Sequence, residues 1–245
     1  MKYEITYDKR VDGRKFDQLR PIEAKVGIIP RADGSAFFKD GNTWAYAAVY
    51  GPRRLFPRSM QNPSKGILRC RYNMMPFSGM GDRVRPGPSR RAKEISMVTE
   101  KALAPVLDLD EFPNSVIDVF IELAQTDAGT RCAGINAAAL ALADAGLKMK
   151  DIPAAIAVGK VNNQYVVDLC YPEEAYEGIV VDMPVAMLPR TKEITLLQMD
   201  GQFEKEDLKK LLEIVKKPID KIHEIQVKAL KDKFKGVKAD SEVVE

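Results

Sequence analysis

Residues 114–146 read NSVIDVFIELAQTDAGTRCAGINAAALALADAG, and this stretch decides the fold. Its first part is a strand, Asn114 to Ala124, in which Ile117, Val119, Ile121 and Leu123 alternate with Asp118, Phe120 and Glu122. Its last part, Cys132 to Ala145, is a helix of small residues stopped at Gly146, and its alanines suit close packing on a sheet. Between them Thr126-Asp127-Ala128-Gly129-Thr130-Arg131 carries a buried strand into a helix N-terminus. There the first-turn amides lack intrahelical partners, and the helix dipole adds positive charge. Gly129 lets backbone approach a ligand, Thr130 offers a hydroxyl and Arg131 a fixed cation, which together form an anion cradle. An ordinary Gly-Thr helix cap with a surface arginine is the competing reading.

Upstream, Ile22 to Ile29 is a strand, and Ser35 to Lys39 with Thr43 to Tyr50 form a hairpin about Asp40-Gly41-Asn42. Ser89 caps a predicted helix running to about Leu103, with Ile95, Val98 and Ala102 on one face. Downstream, a boundary falls near Met149 to Pro153. A hairpin about Asn162-Asn163, strands at Val180 to Leu188 and Glu193 to Met199, and a long helical region broken at Pro218 follow. These elements predict an α+β protein of two βαβ-like halves, residues 10–147 and 150–235, with a frayed tail at 236–245.

Composition narrows the chemistry. The 245 residues are 45% apolar and 30% charged, enough to bury a sizeable core. One histidine, His223, all but excludes triads and histidine-ligated zinc, and it reads as a surface or interface residue. Three scattered cysteines indicate neither disulfides nor a zinc cluster, and point to a reducing, cytoplasmic setting. Met1 to Glu4 opens no signal peptide, and no apolar run approaches a membrane span.

The net charge of +3 conceals a segregation. From Arg53 to Arg91 stand ten basic residues and one acid, so this segment carries +9 and the remainder −6. Its prolines and glycines predict loops, and unpaired arginine on ordered loops points to a polyanion. Arg90 and Arg91 occupy the first turn of the predicted helix, where the dipole disfavours cations, so an anion is expected between them. Opposite in sign is the stretch Asp168 to Asp182. Glu173 and Glu174 read as a solvated acidic loop, whereas Asp182 lies among apolar neighbours that would hold a carboxylate rigidly. Carboxylates facing an arginine-lined phosphate site suit Mg²⁺.

At these residues the sequence resembles the RNase PH family, most closely the catalytic RNase PH-type subunit of the archaeal exosome. The matching runs are Arg10-Val11-Asp12-Gly13-Arg14, Ala32 to Ala36, Ala47 to Arg53, Ser89-Arg90-Arg91 with Glu94-Ile95-Ser96, and Asp127 to Arg131. Further runs are Ala141 to Gly146, Asp182-Met183-Pro184 and Leu196 to Asp200. The resemblance implies a phosphorolytic 3′→5′ exoribonuclease in which inorganic phosphate, as co-substrate, releases nucleoside diphosphates from single-stranded RNA. It assigns Arg91, Gly129, Thr130 and Arg131 to the attacking phosphate, Arg90 to the RNA backbone, and Asp182 to proton transfer or Mg²⁺. It further implies a six-membered ring with a related inactive subunit and RNA-binding cap proteins. Residues 57–65 would then project Arg58 and Lys65 into the pore, and Arg69, Arg71 and Tyr72 are further candidates for RNA contact. One position departs from the family pattern: Tyr176 stands where a second aspartate is usual, leaving Glu174 or Glu177 as its replacement. A ring subunit that only threads RNA, and a homohexameric tRNA-trimming RNase PH, are the alternatives.

Overall fold

A computed structural model describes residues 7–85, 87 and 89–235. The expected frayed tail at 236–245 lies outside these, as do Pro86 and Pro88 of the basic segment. The first sheet runs β1 (Ile22–Val26), β2 (Gly34–Asp40), β3 (Thr43–Arg54), β5 (Ser115–Gln125) and β4 (Ile67–Met74) in spatial order. β1, β2, β3 and β5 pair antiparallel, whereas β4 lies parallel to β5. The crossover from β4 to β5 contains α1 (Arg90–Leu103), so the βαβ unit is here. The second sheet, ordered β7 (Gln164–Val167), β6 (Ala154–Val161), β8 (Val180–Met187) and β9 (Ile194–Leu197), is antiparallel throughout.

The strand and helix of the deciding stretch form as expected, the helix α2 spanning Thr130–Asp144. Alanine-rich and apolar around most of its circumference, α2 is buried at Thr130 and from Cys132 to Leu142, as such a helix must be. It lies between the sheets, touching β2, β3 and β5 on one side and β6 and β8 on the other. Small side chains permit this approach: a Cβ at Gly34 would fall 2.3 Å from both the Ala141 carbonyl oxygen and the Ala145 nitrogen. A short helix α3 (Tyr171–Glu174) precedes β8, and α4 (Lys205–Ile214) and α5 (Lys216–Phe234) complete the chain. The C-terminal helical region breaks at Val215. Pro218 stands in the first turn of α5, where its missing N–H costs no hydrogen bond.

The expectation that the basic segment forms loops needs correction. β3 extends to Arg54, and Ile67–Met74 is a full strand. Its Leu68, Cys70 and Tyr72 point into the core, while Arg69 and Arg71 take the other face. Alternating arginine and apolar residues make a half-buried strand despite the flanking glycines and prolines.

Candidate active site

Three elements converge on a cavity of about 290 Å³: the N-terminus of α1, the N-terminus of α2, and the adjoining ends of β8 and of the chain after β9. Arg91, Gly129, Thr130, Arg131, Glu174, Asp182 and Asp200 contribute its polar lining. Cations and amides thus face carboxylates across one small space.

On the cationic side, the backbone turns sharply. Ala128 and Gly129 both adopt left-handed conformations, with φ of 57° and 60°, before α2 starts at Thr130. For Ala128 this costs about 1–2 kcal/mol, and it aims the first amides of α2 outward. Thr43 fixes the loop, its hydroxyl donating to the Ala128 carbonyl (2.8 Å) and accepting from the Asp127 amide (2.9 Å). Ser89 caps α1, its hydroxyl accepting from the Ala92 amide at 3.0 Å, and no acid occupies the first turn of that helix. Arg91 Nη2 therefore reaches Thr130 Oγ1 at 3.5 Å, and two helix N-termini share one anion-attracting space.

On the acidic side, Asp182 stands on β8 in register with Gly159 of β6, and its backbone exchanges hydrogen bonds with Asp200 (3.0 and 2.9 Å). Its Oδ1 is buried without a hydrogen-bond partner. Burial, reinforced by the negative charge of Glu174, pushes the carboxyl up to about 7, with Arg131 pulling the other way. Burial also raises Glu174, opposed by the Gly129 amide and Arg91. Asp182 is thereby poised to hold or lose a proton near neutrality.

The structure decides between the two candidate glutamates. Glu174 lines the cavity, whereas Glu177 is exposed outside it. Tyr176 turns away and packs edge-on against Tyr7, ring centroids 5.4 Å apart. The reading of Glu173 as solvated is overturned. It is fully buried, gripped by Arg10 at 2.7 and 2.8 Å and by the Tyr7 hydroxyl at 2.7 Å. Opposite charge and three donors repay the cost of burial and hold the carboxyl below the usual range.

Beneath the cradle lies a buried network that the sequence reading missed. Arg20 binds Asp168 through its backbone amide (2.7 Å) and its guanidinium (2.7 and 3.0 Å). It also reaches Asp40 at 3.2 Å and donates to the Asp127 carbonyl. Burial, reinforced by the charge of Asp168, pushes the Asp40 carboxyl well above the usual carboxylate range. Asp127 in turn accepts from the Tyr171 amide (3.0 Å), tying the cradle loop to α3. Arg14 joins the same cluster through Asp168 at 3.2 Å. These pairs span up to 154 residues of sequence and leave no local periodicity. The charge-rich run Arg10 to Arg14 is the one visible sign.

Other expected residues separate. Arg90 is exposed at the start of α1, and Arg58 and Lys65 are exposed between β3 and β4. Arg71 is exposed on β4, whereas Arg69 is engaged by Asp118 at 2.5 and 2.9 Å. Tyr72 contradicts its expectation: at 4% exposure it packs beneath α2 near Gly134, where RNA cannot reach its ring. The apolar face of β4 claimed it. All three cysteines are free and buried, and burial pushes their thiols up, Cys170 to about 11. None is a nucleophile. His223 is half-buried, Nε2 4.0 Å from Asp151 Oδ1, away from the cavity.

Comparison with known proteins yields consistent matches. Residues 18–148 match domain 1 of the 3′ exoribonuclease family, RNase PH, and residues 151–217 match domain 2. The chain is 47% identical over 227 residues to the exosome complex component Rrp41 of Methanopyrus kandleri, covering 93% of this chain and 94% of the relative. It is 50% identical over 226 residues to that of Thermococcus kodakarensis, covering 92% and 90%. Among solved structures, rice (Oryza sativa) Rrp46 superposes with a TM-score of 0.79 at 25% identity, covering 90% of this chain and all of that one. A chain of the Archaeoglobus fulgidus exosome with RNA bound to the active site superposes at 0.74 with 22% identity, over 93% of each chain.

Proposed function

The chain belongs to the RNase PH family of 3′ exoribonucleases, and from that premise we propose that it is the phosphorolytic subunit of an exosome ring. A cationic cradle and a buried carboxyl with an unpartnered oxygen sharing one 290 Å³ cavity is the observation that carries this reading. Its two halves, residues 10–147 and 150–235, supply one each.

In this reading, Arg91, the amide of Gly129, Thr130 and Arg131 hold inorganic phosphate. Arg90 holds the RNA backbone beside it. Phosphate is a nucleophile at neutral pH, so histidine is not required. A phosphate oxygen bonds to the last phosphorus of single-stranded RNA while the bond to the 3′ oxygen of the preceding nucleotide breaks. That oxygen takes a proton from the Asp182 carboxyl, releasing a nucleoside 5′-diphosphate and RNA shortened by one. Positioning and charge neutralisation do most of the work.

When ionised, Asp182 with its unpartnered Oδ1, and Glu174 beside it, would instead fit Mg²⁺, which takes one or two carboxylates and keeps waters. When bound, the ion supplies charge neutralisation at phosphate oxygens.

In this reading the chain sits in a ring with related subunits and cap proteins and threads RNA past Arg58, Lys65 and Arg71; its likeness to relatives named exosome components supports the ring. No helix among the described residues is long and apolar enough to cross a membrane, and a cytoplasmic location fits the unpaired thiols. The test is separation of reaction products from labelled single-stranded RNA, using the ring assembled with its partner. Nucleoside diphosphates should appear only with phosphate, and Asp182→Asn should abolish them without unfolding the chain. Monophosphate products, or activity indifferent to phosphate, would refute the reading.

A further inference from the structure

We propose that Gln198 is a positioning residue, aligning Arg131 for phosphate from the half of the molecule that carries Asp182. Arg131 Nη1 donates to Gln198 Oε1, and Gln198 Nε2 donates to Glu94 Oε1 of α1 at 3.1 Å. One amide therefore bridges α1 and α2 of the first half from the segment that follows β9 in the second.

Backbone pairing fixes where this amide stands. The Gln198 amide nitrogen donates to the Pro184 carbonyl at 3.1 Å, and two residues later Asp200 pairs with Asp182. Residues two apart along a strand share a face. Gln198 and Asp200 thus stand on the face that, through Asp182 and Pro184, lines the cavity. The register that sets the carboxylate also sets the acceptor for Arg131.

The chemistry favours an amide here. An arginine on the first turn of a helix has rotamer entropy to lose on binding an anion. A fixed acceptor at Nη1 removes part of that cost in advance and leaves the other N–H groups of the fork for the ligand. A neutral acceptor in direct contact neutralises the guanidinium less than a carboxylate there would, and the Glu94 carboxylate stands behind it at 4.0 Å from Nη1, the outer limit of an ion pair. Glu94 orients the amide so that its oxygen, not its nitrogen, faces Arg131.

This inference rests on the reading of Arg131 as a phosphate ligand, and the experiment separates the two. Phosphorolysis is measured in the assembled ring at varied phosphate and at varied RNA. Gln198→Leu should raise the KM for phosphate roughly tenfold with kcat and the KM for RNA changed less than about twofold. Gln198→Glu should also raise it, because two carboxylates then face each other and Arg131 is neutralised. Adding Glu94→Gln to Gln198→Glu removes the facing carboxylates but leaves one in direct contact with Arg131, so the KM for phosphate should stay raised. An unchanged KM for phosphate in Gln198→Leu, or a loss confined to kcat, or full recovery in the double variant, overturns the proposal. Arg131→Ala is the control: if it leaves the KM for phosphate unchanged, the cradle reading itself fails. If it raises that KM while Gln198→Leu does not, only the positioning role is lost.

Discussion

Which carboxylates matter is settled residue by residue. Glu173, Glu174 and Glu177 are near neighbours in sequence, yet one is a buried ion-pair partner, one lines the cavity and one is exposed. Glu174→Gln should lower phosphorolysis about tenfold or more, whereas Glu177→Gln should leave it unchanged, measured as initial rates of diphosphate release. Asp182 makes a separate prediction about stability. Its pKa is raised from 3.8 to about 7 in the fold, so the folded chain binds the proton more tightly than the unfolded chain. That contribution is complete below about pH 4 and is lost as pH rises through about 7. Each pKa unit is about 1.4 kcal/mol, so the change is on the order of a few kcal/mol. In thermal melts without divalent cation, Asp182→Asn should lack this loss, and should gain on the wild type between pH 4 and 8.

Elements are placed by networks as much as by packing. α3 has only four residues, too few to hold itself together, and the Arg10–Glu173 pair with the Asp127–Tyr171 contact fixes it. Glu173→Gln should leave Arg10 buried without its counter-charge and cost about 3–5 kcal/mol, read by chemical denaturation. Replacing both partners, Arg10→Met with Glu173→Leu, should cost markedly less, because no charge is left unpaired. The hairpin, α1 with its Ser89 cap, β5 and α2 were legible in the sequence because each is marked by short-range periodicity and end signals. β4 was obscured because its outward face is arginine. α3 was obscured because its stability comes from residues about 160 positions away.

At the scale of the whole molecule, charge is sorted by region. A +9 segment from Arg53 to Arg91 is set against a −6 remainder, and folding brings Arg91 of the former to within one cavity of Asp182 of the latter. Among the described residues, exposed Arg58, Lys65, Arg71 and Arg90 form no ion pair, unlike Arg69. RNA affinity of the assembled ring should therefore fall steeply with salt, with a log–log slope of about −0.7 per phosphate neutralised. Arg58→Ala with Lys65→Ala should flatten it, measured by filter binding at several salt concentrations. The sequence by itself determined the strand–cradle–helix junction, the cap of α1, the charge segregation and Asp182, because these depend on neighbours a few residues apart. Only the tertiary structure decided that Glu174 rather than Glu177 enters the cavity, that Tyr72 is core, and that Arg10, Arg20 and Gln198 buttress the site. Those outcomes depend on burial and on charge pairs closed across most of the chain, where attraction between distant groups acts only once the two sheets have closed on α2.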